Sequence, residues 1–136
     1  MIGHSAGGHL ALLAANEITA AFIKSVIALA PVGYLAEAWR LNLDDVAVKE
    51  FLGTSAPNRP DMDPNLILNT HAPVLIIHGN DDIRVPIALS RTLHSSYISA
   101  GLDSELIELE NIGHFELIDY RAQHIELVLA HLRKHA

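Results

Sequence analysis

The side chains best placed to do chemistry are one serine near the start of the chain, two adjacent aspartates and several of the nine histidines. Gly3-His4-Ser5-Ala6-Gly7 fits the pattern G-x-S-x-G, and Gly8 adds a further small residue as a run of helix formers begins. A serine on a sharp strand-to-helix turn has strained backbone angles and crowded neighbours, so the positions two before and two after it are expected to lack a bulky Cβ. Its hydroxyl is then exposed at a helix N-terminus, where free N–H groups and the positive end of the helix stabilise a developing oxyanion, the Ala6 amide being the natural first donor. The chemistry implied is nucleophilic attack on a carbonyl. Alone the pattern is weak, because a chain of this length shows it by chance roughly 4% of the time at ordinary Gly and Ser usage. A serine that merely caps a helix reads the same way.

Two later segments supply partners in the order acid, then histidine. The first is Val74-Leu75-Ile76-Ile77-His78-Gly79-Asn80-Asp81-Asp82-Ile83-Arg84-Val85-Pro86, the second Asn111-Ile112-Gly113-His114-Phe115. With these in place, Gly3 to Ala11 resembles the nucleophile elbow of the α/β-hydrolase superfamily, especially its esterase, arylformamidase and prolyl-oligopeptidase-like branches. The segment from Val74 to Pro86 resembles that superfamily's H-G-x-x-D-x-x-V-P stretch and the segment from Asn111 to Phe115 its late G-H-F stretch. The resemblance runs from residue 1 to the C-terminus. It implies Ser5 as nucleophile, His114 as general base and Asp82 as the acid that orients the imidazole. Asp81 competes for that last role, and the register of Val85-Pro86 favours Asp82. Asp82 as a turn residue and His114 as a helix cap are the plain alternatives.

The implied function is cleavage of a carboxylic ester or amide through an acyl-enzyme, with no metal or organic cofactor. Substrates in view are a small carboxylester, an N-formyl arylamine of the formylkynurenine kind or a short peptide, the elbow leaning toward the first two. The rival from another class is a catalytically silent fragment that binds a partner or nothing. A metal hydrolase built on the histidines is a third reading, but His131 and His135 lack the glutamate of H-E-x-x-H and are expected on the wet face of a terminal helix. His4, His9 and His78 are expected to support the site rather than ligate, with His4 lining a substrate pocket. Leu35, Trp39 and Phe51 fit either an acyl pocket or the inside of a cap.

The elements needed to position these residues follow from periodicity. A largely apolar helix is expected over residues 9–18, with Leu10, Leu13, Ala14 and Ile18 inward. Ser25 to Val32 and Pro73 to Gly79 read as buried parallel strands. Weak periodicity over about 33–70 suggests a cap or insertion, with helices at 35–41 and 45–52 and a Pro-rich stretch from Pro57 to Pro64. Pro86 opens a helix that ends near Ala100, before Gly101. Ser104 to Leu109 is a more exposed strand. A last helix is expected over Phe115 to Lys134, with Leu117, Ile118, Ile125, Val128, Leu129 and Leu132 on its inner face. Strands alternating with helices predict an α/β fold with a parallel sheet in three layers, forming a single partial domain over residues 1–136.

Composition sets the outer bounds. Half of the 136 residues are apolar, enough to bury a core, and 8 Gly with 6 Pro exclude fibrous or low-complexity readings. Nine basic against 16 acidic residues, a net charge of −7, is the wrong sign for tracking phosphates, so nucleic acid is not an expected partner. The absence of Cys closes thiol chemistry and suits a cytoplasmic location, and no apolar run approaches the roughly 20 residues that span a bilayer. Only Met1 and Ile2 precede the glycine of the serine turn, whereas the superfamily pattern has several strands before it and a second oxyanion donor on an earlier loop. The chain is therefore expected to be the C-terminal half of a longer hydrolase. The strand at 25–32 then becomes an unpaired apolar edge, open to self-association or to the missing half.

Overall fold

A computed structural model describes residues 1–17, 22–43 and 46–136 of the protein. Four parallel strands form one sheet in chain order: β1 (Ile2–His4), β2 (Val26–Leu29), β3 (Val74–Gly79) and β4 (Ser104–Leu109). The register pairs Ile2 with Ile27, Ile27 with Leu75 and Leu75 with Glu105. β2 and β3 are buried along their whole length, as their lack of charged residues predicts for strands covered on both faces.

Alternation along these strands divides the core. Val26, Ala28, Val74 and Ile76 face Ala11, Leu12 and Ala15 of helix α1 (Ala6–Glu17) and Leu93 and Tyr97 of helix α4 (Ile87–Ser99). Ile27, Leu29, Leu75 and Ile77 face Leu117 and Val128, the latter on helix α5 (Ile125–Lys134). The result is the expected three-layer arrangement. Between β2 and β3 lie the short helices α2 (Leu35–Arg40) and α3 (Ala47–Leu52), then 3-10 turns at Ala56–Asn58 and Pro60–Met62. This segment has its own small core of Leu35, Leu52 and Ala56. Buried Asp63 ties it together, its carboxylate accepting the amides of Ala36 (2.9 Å) and Asn65 (3.0 Å).

Several expectations are corrected. The edge of the sheet is β1 rather than β2, because even three residues suffice for pairing: the Met1 amino group donates to the Ser25 carbonyl (2.7 Å) and the Ile27 amide to that of Met1 (2.9 Å). α1 starts at Ala6; Leu13 is buried as expected, but the face packed on the sheet is Ala11, Leu12 and Ala15, Ala14 is only half-buried and Leu10 is half exposed, while Ile18 lies outside the described residues, as does Asp45 at the expected start of α3. Pro86 precedes the first turn of α4 rather than beginning it. The last helix begins only at Ile125. Before it the chain makes a 3-10 turn at Glu116–Ile118 and then reverses, because the Asp119 carboxylate accepts the Arg121 amide (3.0 Å) in competition with helical bonding. Ile118, Leu129 and Leu132 consequently face outward, while His131 is buried rather than wet, in tilted ring contact with His135 at 4.5 Å.

Candidate active site

Ser5 follows β1 directly and precedes the first residue of α1. Its φ of 56° is the left-handed conformation that non-glycine residues adopt only under constraint. The constraint is visible in the backbone: the Ser5 amide donates to the Leu29 carbonyl (2.9 Å), continuing the sheet ladder, while the Ser5 carbonyl already accepts the His9 amide (3.1 Å) of the helix. One residue thus ends a strand and begins a helix. A Cβ on Gly3 would sit 2.1 Å from the Gly7 carbonyl oxygen, so the turn closes only with glycine there. The matching expectation for Gly7 is wrong, since a Cβ there meets nothing within 4 Å. The second crowded position is Gly8, whose Cβ would lie 3.0 Å from that of Pro31. The Ala6 amide has no backbone acceptor among the described residues and is free at the head of α1.

Asp82 and His114 come together at the carboxyl ends of β3 and β4. Asp82 Oδ2 accepts His114 Nδ1–H at 2.6 Å, and Oδ1 accepts the amides of Arg84 and Val85 at 2.8 Å each. Asp81 is exposed and takes no part in that contact. Burial by itself raises the Asp82 pKa, but the Val85 amide, the His114 ring and the Arg84 amide together outweigh it and hold the carboxyl below its ordinary range. Because a carboxylate only accepts, His114 carries its proton on Nδ1 and presents a lone pair at Nε2.

The loops bearing the pair are fastened to each other. The Asn111 amide donates to Asn80 Oδ1 (2.8 Å) and the Asp81 amide to the Ile112 carbonyl (3.1 Å). Gly79 permits the approach, for a Cβ there would sit 2.0 Å from the Ile112 oxygen.

His4 does not line the cavity beside Ser5, contrary to expectation. Its Nε2–H donates to the His114 carbonyl (2.8 Å), which draws its ring against that of His114 at 4.5 Å between centroids. Burial lowers its pKa, so it is a neutral neighbour of the His114 ring. Ser5 itself makes no side-chain hydrogen bond to His114 among the described residues. Ser5 borders a cavity of about 240 Å³, lined also by Ala6, His9, Leu10, Val32, Leu35, Leu43, Ala47, Val48, Phe51 and Val85. Leu35 and Phe51 therefore line this cavity, while Trp39 borders a separate one beside Asn42 and Lys49. His9 is neutral there, lowered by burial, with its Nε2–H on the Met62 carbonyl (2.8 Å).

The residues missed by sequence reasoning are mostly supports. The amides of Arg84 and Val85 have no signal in residue type. His78 does have one, being polar in an otherwise apolar strand, and it is fully buried with Nε2 at 3.2 Å from Asp82 Oδ2. Among the described residues no group of three or more His, Asp or Glu is arranged to hold a metal ion, and no helix is long and apolar enough to cross a membrane.

Helices on both faces of a parallel sheet, with a strained serine after one strand and an Asp–His pair after two later ones, define an α/β-hydrolase fold. Within it, residues 1–136 match the family described as the prolyl oligopeptidase family, and the chain belongs to that family of serine hydrolases. Acylaminoacyl peptidase from Pyrococcus horikoshii is similar with a TM-score of 0.82 at 19% identity, covering 98% of this chain and 23% of its own. A thermophilic esterase from the planctomycete Thermogutta terrifontis is similar with a TM-score of 0.71 at 24% identity, covering 98% of this chain and 54% of its own. Esterase PE8 gives a TM-score of 0.66 at 22% identity, over 99% of this chain and 49% of its own. The chain thus spans between a quarter and about half of the length of these relatives. No curated protein matches it in sequence.

Proposed function

We propose that this chain carries the nucleophile, base and acid of a serine hydrolase that cleaves a carboxylic ester or amide through an acyl-enzyme. Ser5 Oγ attacks the carbonyl carbon while His114 Nε2 takes its proton, and the ionised Asp82 stabilises the imidazolium. The Ala6 amide donates to the oxyanion, His114 returns the proton to the leaving group, and water then repeats the sequence to free the acid. The observation that carries the reading is the 2.6 Å contact between His114 Nδ1 and Asp82 Oδ2, which leaves His114 Nε2 basic at the same end of the sheet as the left-handed Ser5.

The cavity beside Ser5 favours substrates with an uncharged, apolar acyl or side-chain group, since its walls are mainly Leu, Val and Phe. Two relatives point to covalent probes. One structure of the Thermogutta esterase is of the protein phosphoramylated by tabun, and an acylaminoacyl peptidase is in complex with Z-Gly-Gly-Phe-chloromethyl ketone. Carboxylesters, N-formyl arylamides and acylated short peptides are the classes to compare.

A second reading, a silent fragment, is favoured by the missing Ser5–His114 hydrogen bond and by the share of its relatives that the chain spans. On that reading the free edge of β1 seats further strands of the same fold. Intact mass after treatment with a fluorophosphonate, run beside Ser5→Ala, separates the two. A single adduct on the wild type alone supports the hydrolase; no adduct, or one that survives Ser5→Ala, rejects Ser5 as an activated nucleophile in this chain.

A further inference from the structure

His78 is fully buried in β3 as its penultimate residue, polar in an otherwise apolar strand, and each of its ring nitrogens has a partner. Nε2 lies 2.9 Å from the Val85 carbonyl, which only accepts, so the proton is on Nε2. Nδ1 lies 2.7 Å from Ser90 Oγ on α4, and in a neutral ring that nitrogen accepts the hydroxyl proton. The same Nε2–H stands 3.2 Å from Asp82 Oδ2, the oxygen that receives His114. Val85 closes the circuit, its amide donating to Asp82 Oδ1 (2.8 Å) while its carbonyl accepts His78. Burial pushes His78 below the ordinary histidine range, in keeping with a neutral ring. The titratable groups that face it are Asp82 and His114 from the two loops and Glu108, its register partner on β4.

We propose that His78 is a positioning residue for the candidate triad: fixed by Ser90 as a neutral Nε2–H donor, it shares that proton between Val85 and Asp82 and so holds the Asp82 carboxylate aimed at His114 Nδ1. This inference rests on the proposed hydrolase reading for its catalytic consequence, but its geometry is testable without turnover. Without the His78 donor only the Arg84 and Val85 amides, both on Oδ1, hold the Asp82 carboxylate, so Oδ2 is freer to turn and its contact with His114 Nδ1–H loosens.

The experiment is nitrogen-15 NMR of the histidine rings in the full chain, with His78→Leu and His78→Gln beside the wild type and fluorophosphonate labelling rates measured on all three. The wild type is expected to show His78 as the neutral Nε2–H tautomer at pH 7. His78→Leu is expected to weaken the low-field His114 Nδ1–H signal and slow labelling at least about tenfold, the scale of a hydrogen bond to a charged group. His78→Gln, whose amide can take the place of Nε2–H, is expected to restore both. A His78 ring with its proton on Nδ1, or an unchanged His114 Nδ1–H signal in His78→Leu, overturns the proposal. Should His78→Leu fail to fold, the wild-type tautomer still decides. A wild type that does not label at all counts against the hydrolase reading alone, because the NMR comparison stands apart from it.

Discussion

Gly79→Ala tests whether the Asp82–His114 contact depends on how closely two loops approach. The added Cβ would lie 2.0 Å from the Ile112 oxygen and 2.6 Å from its carbonyl carbon, against 3.4 Å for ordinary contact. Both obstacles are backbone, so no side-chain rotation relieves them, and the loop carrying Ile112 must retreat by about 1.4 Å. His114 is two residues further along that loop. If it moves with Ile112, its 2.6 Å bond to Asp82 opens to about 4 Å, beyond hydrogen-bonding reach, and the Asp81–Ile112 bond is lost as well. Overpacking of this kind costs about 1–3 kcal/mol, or roughly 4–12 °C in Tm for a chain of this size. A displacement near 1 Å costs an aligned site about 100-fold in rate. Differential scanning fluorimetry gives the first quantity and the fluorophosphonate labelling rate the second, with loss of the low-field His114 Nδ1–H proton as the link between them. A variant that keeps the wild-type Tm and that proton refutes the reasoning.

Gly7→Ala is expected to do the opposite, because a Cβ there touches nothing and gains helix propensity: urea titration should find it neutral or up to about 1 kcal/mol more stable, with labelling retained. Asn16→Ala removes a buried amide that accepts the Asn69 amide (2.9 Å) and donates to the Leu12 carbonyl (2.9 Å), and the same titration should show a loss of about 1–3 kcal/mol. Stability should also fall on mild acidification. Burial depresses the pKa values of His4, His9, His78 and His131 in the fold, so the unfolded chain binds more protons below about pH 6.5; their contribution is complete above that pH and is lost as the pH falls toward the folded values. Asp82 adds a second loss below about pH 4, as its depressed folded pKa is passed. A urea midpoint that rises between pH 7 and pH 5 contradicts this assignment.

What the sequence disclosed and what it hid divide along physical lines. β2 and β3 were legible because a strand covered on both faces has to be apolar throughout, and Asp82 was separable from Asp81 only through the register of Val85-Pro86. The geometry agrees on which aspartate meets His114 for a reason invisible beforehand: the Val85 and Arg84 amides turn one carboxylate inward and leave the other in water. The start of α5 is not legible because hydrophobic spacing continues through Phe115 and Ile118, while the Asp119 side chain bonds the Arg121 amide in a turn. The motif points to Gly7, whereas the crowded glycine is Gly8, because crowding there is set by Pro31, a residue distant in sequence. Residue type alone places His131 in water, although helix rotation buries it. Long-range partners decided each of these, and single-residue preference carries no record of them.

The sheet order, in which each strand lies beside its neighbour in sequence, makes the chemistry and the pocket separately variable. Ser5, Asp82 and His114 follow three strand ends whose spacing is fixed by the ladder, at roughly 4.8 Å per strand. The segment with α2 and α3, which supplies Leu35, Val48 and Phe51 to the cavity, is only a connection between β2 and β3. Lengthening such a connection costs little, about 0.6 kcal/mol per doubling, and leaves the ladder untouched. Grafting a different loop between Val32 and Thr70 is therefore a route to altered selectivity in which the Asp82–His114 pair keeps its place.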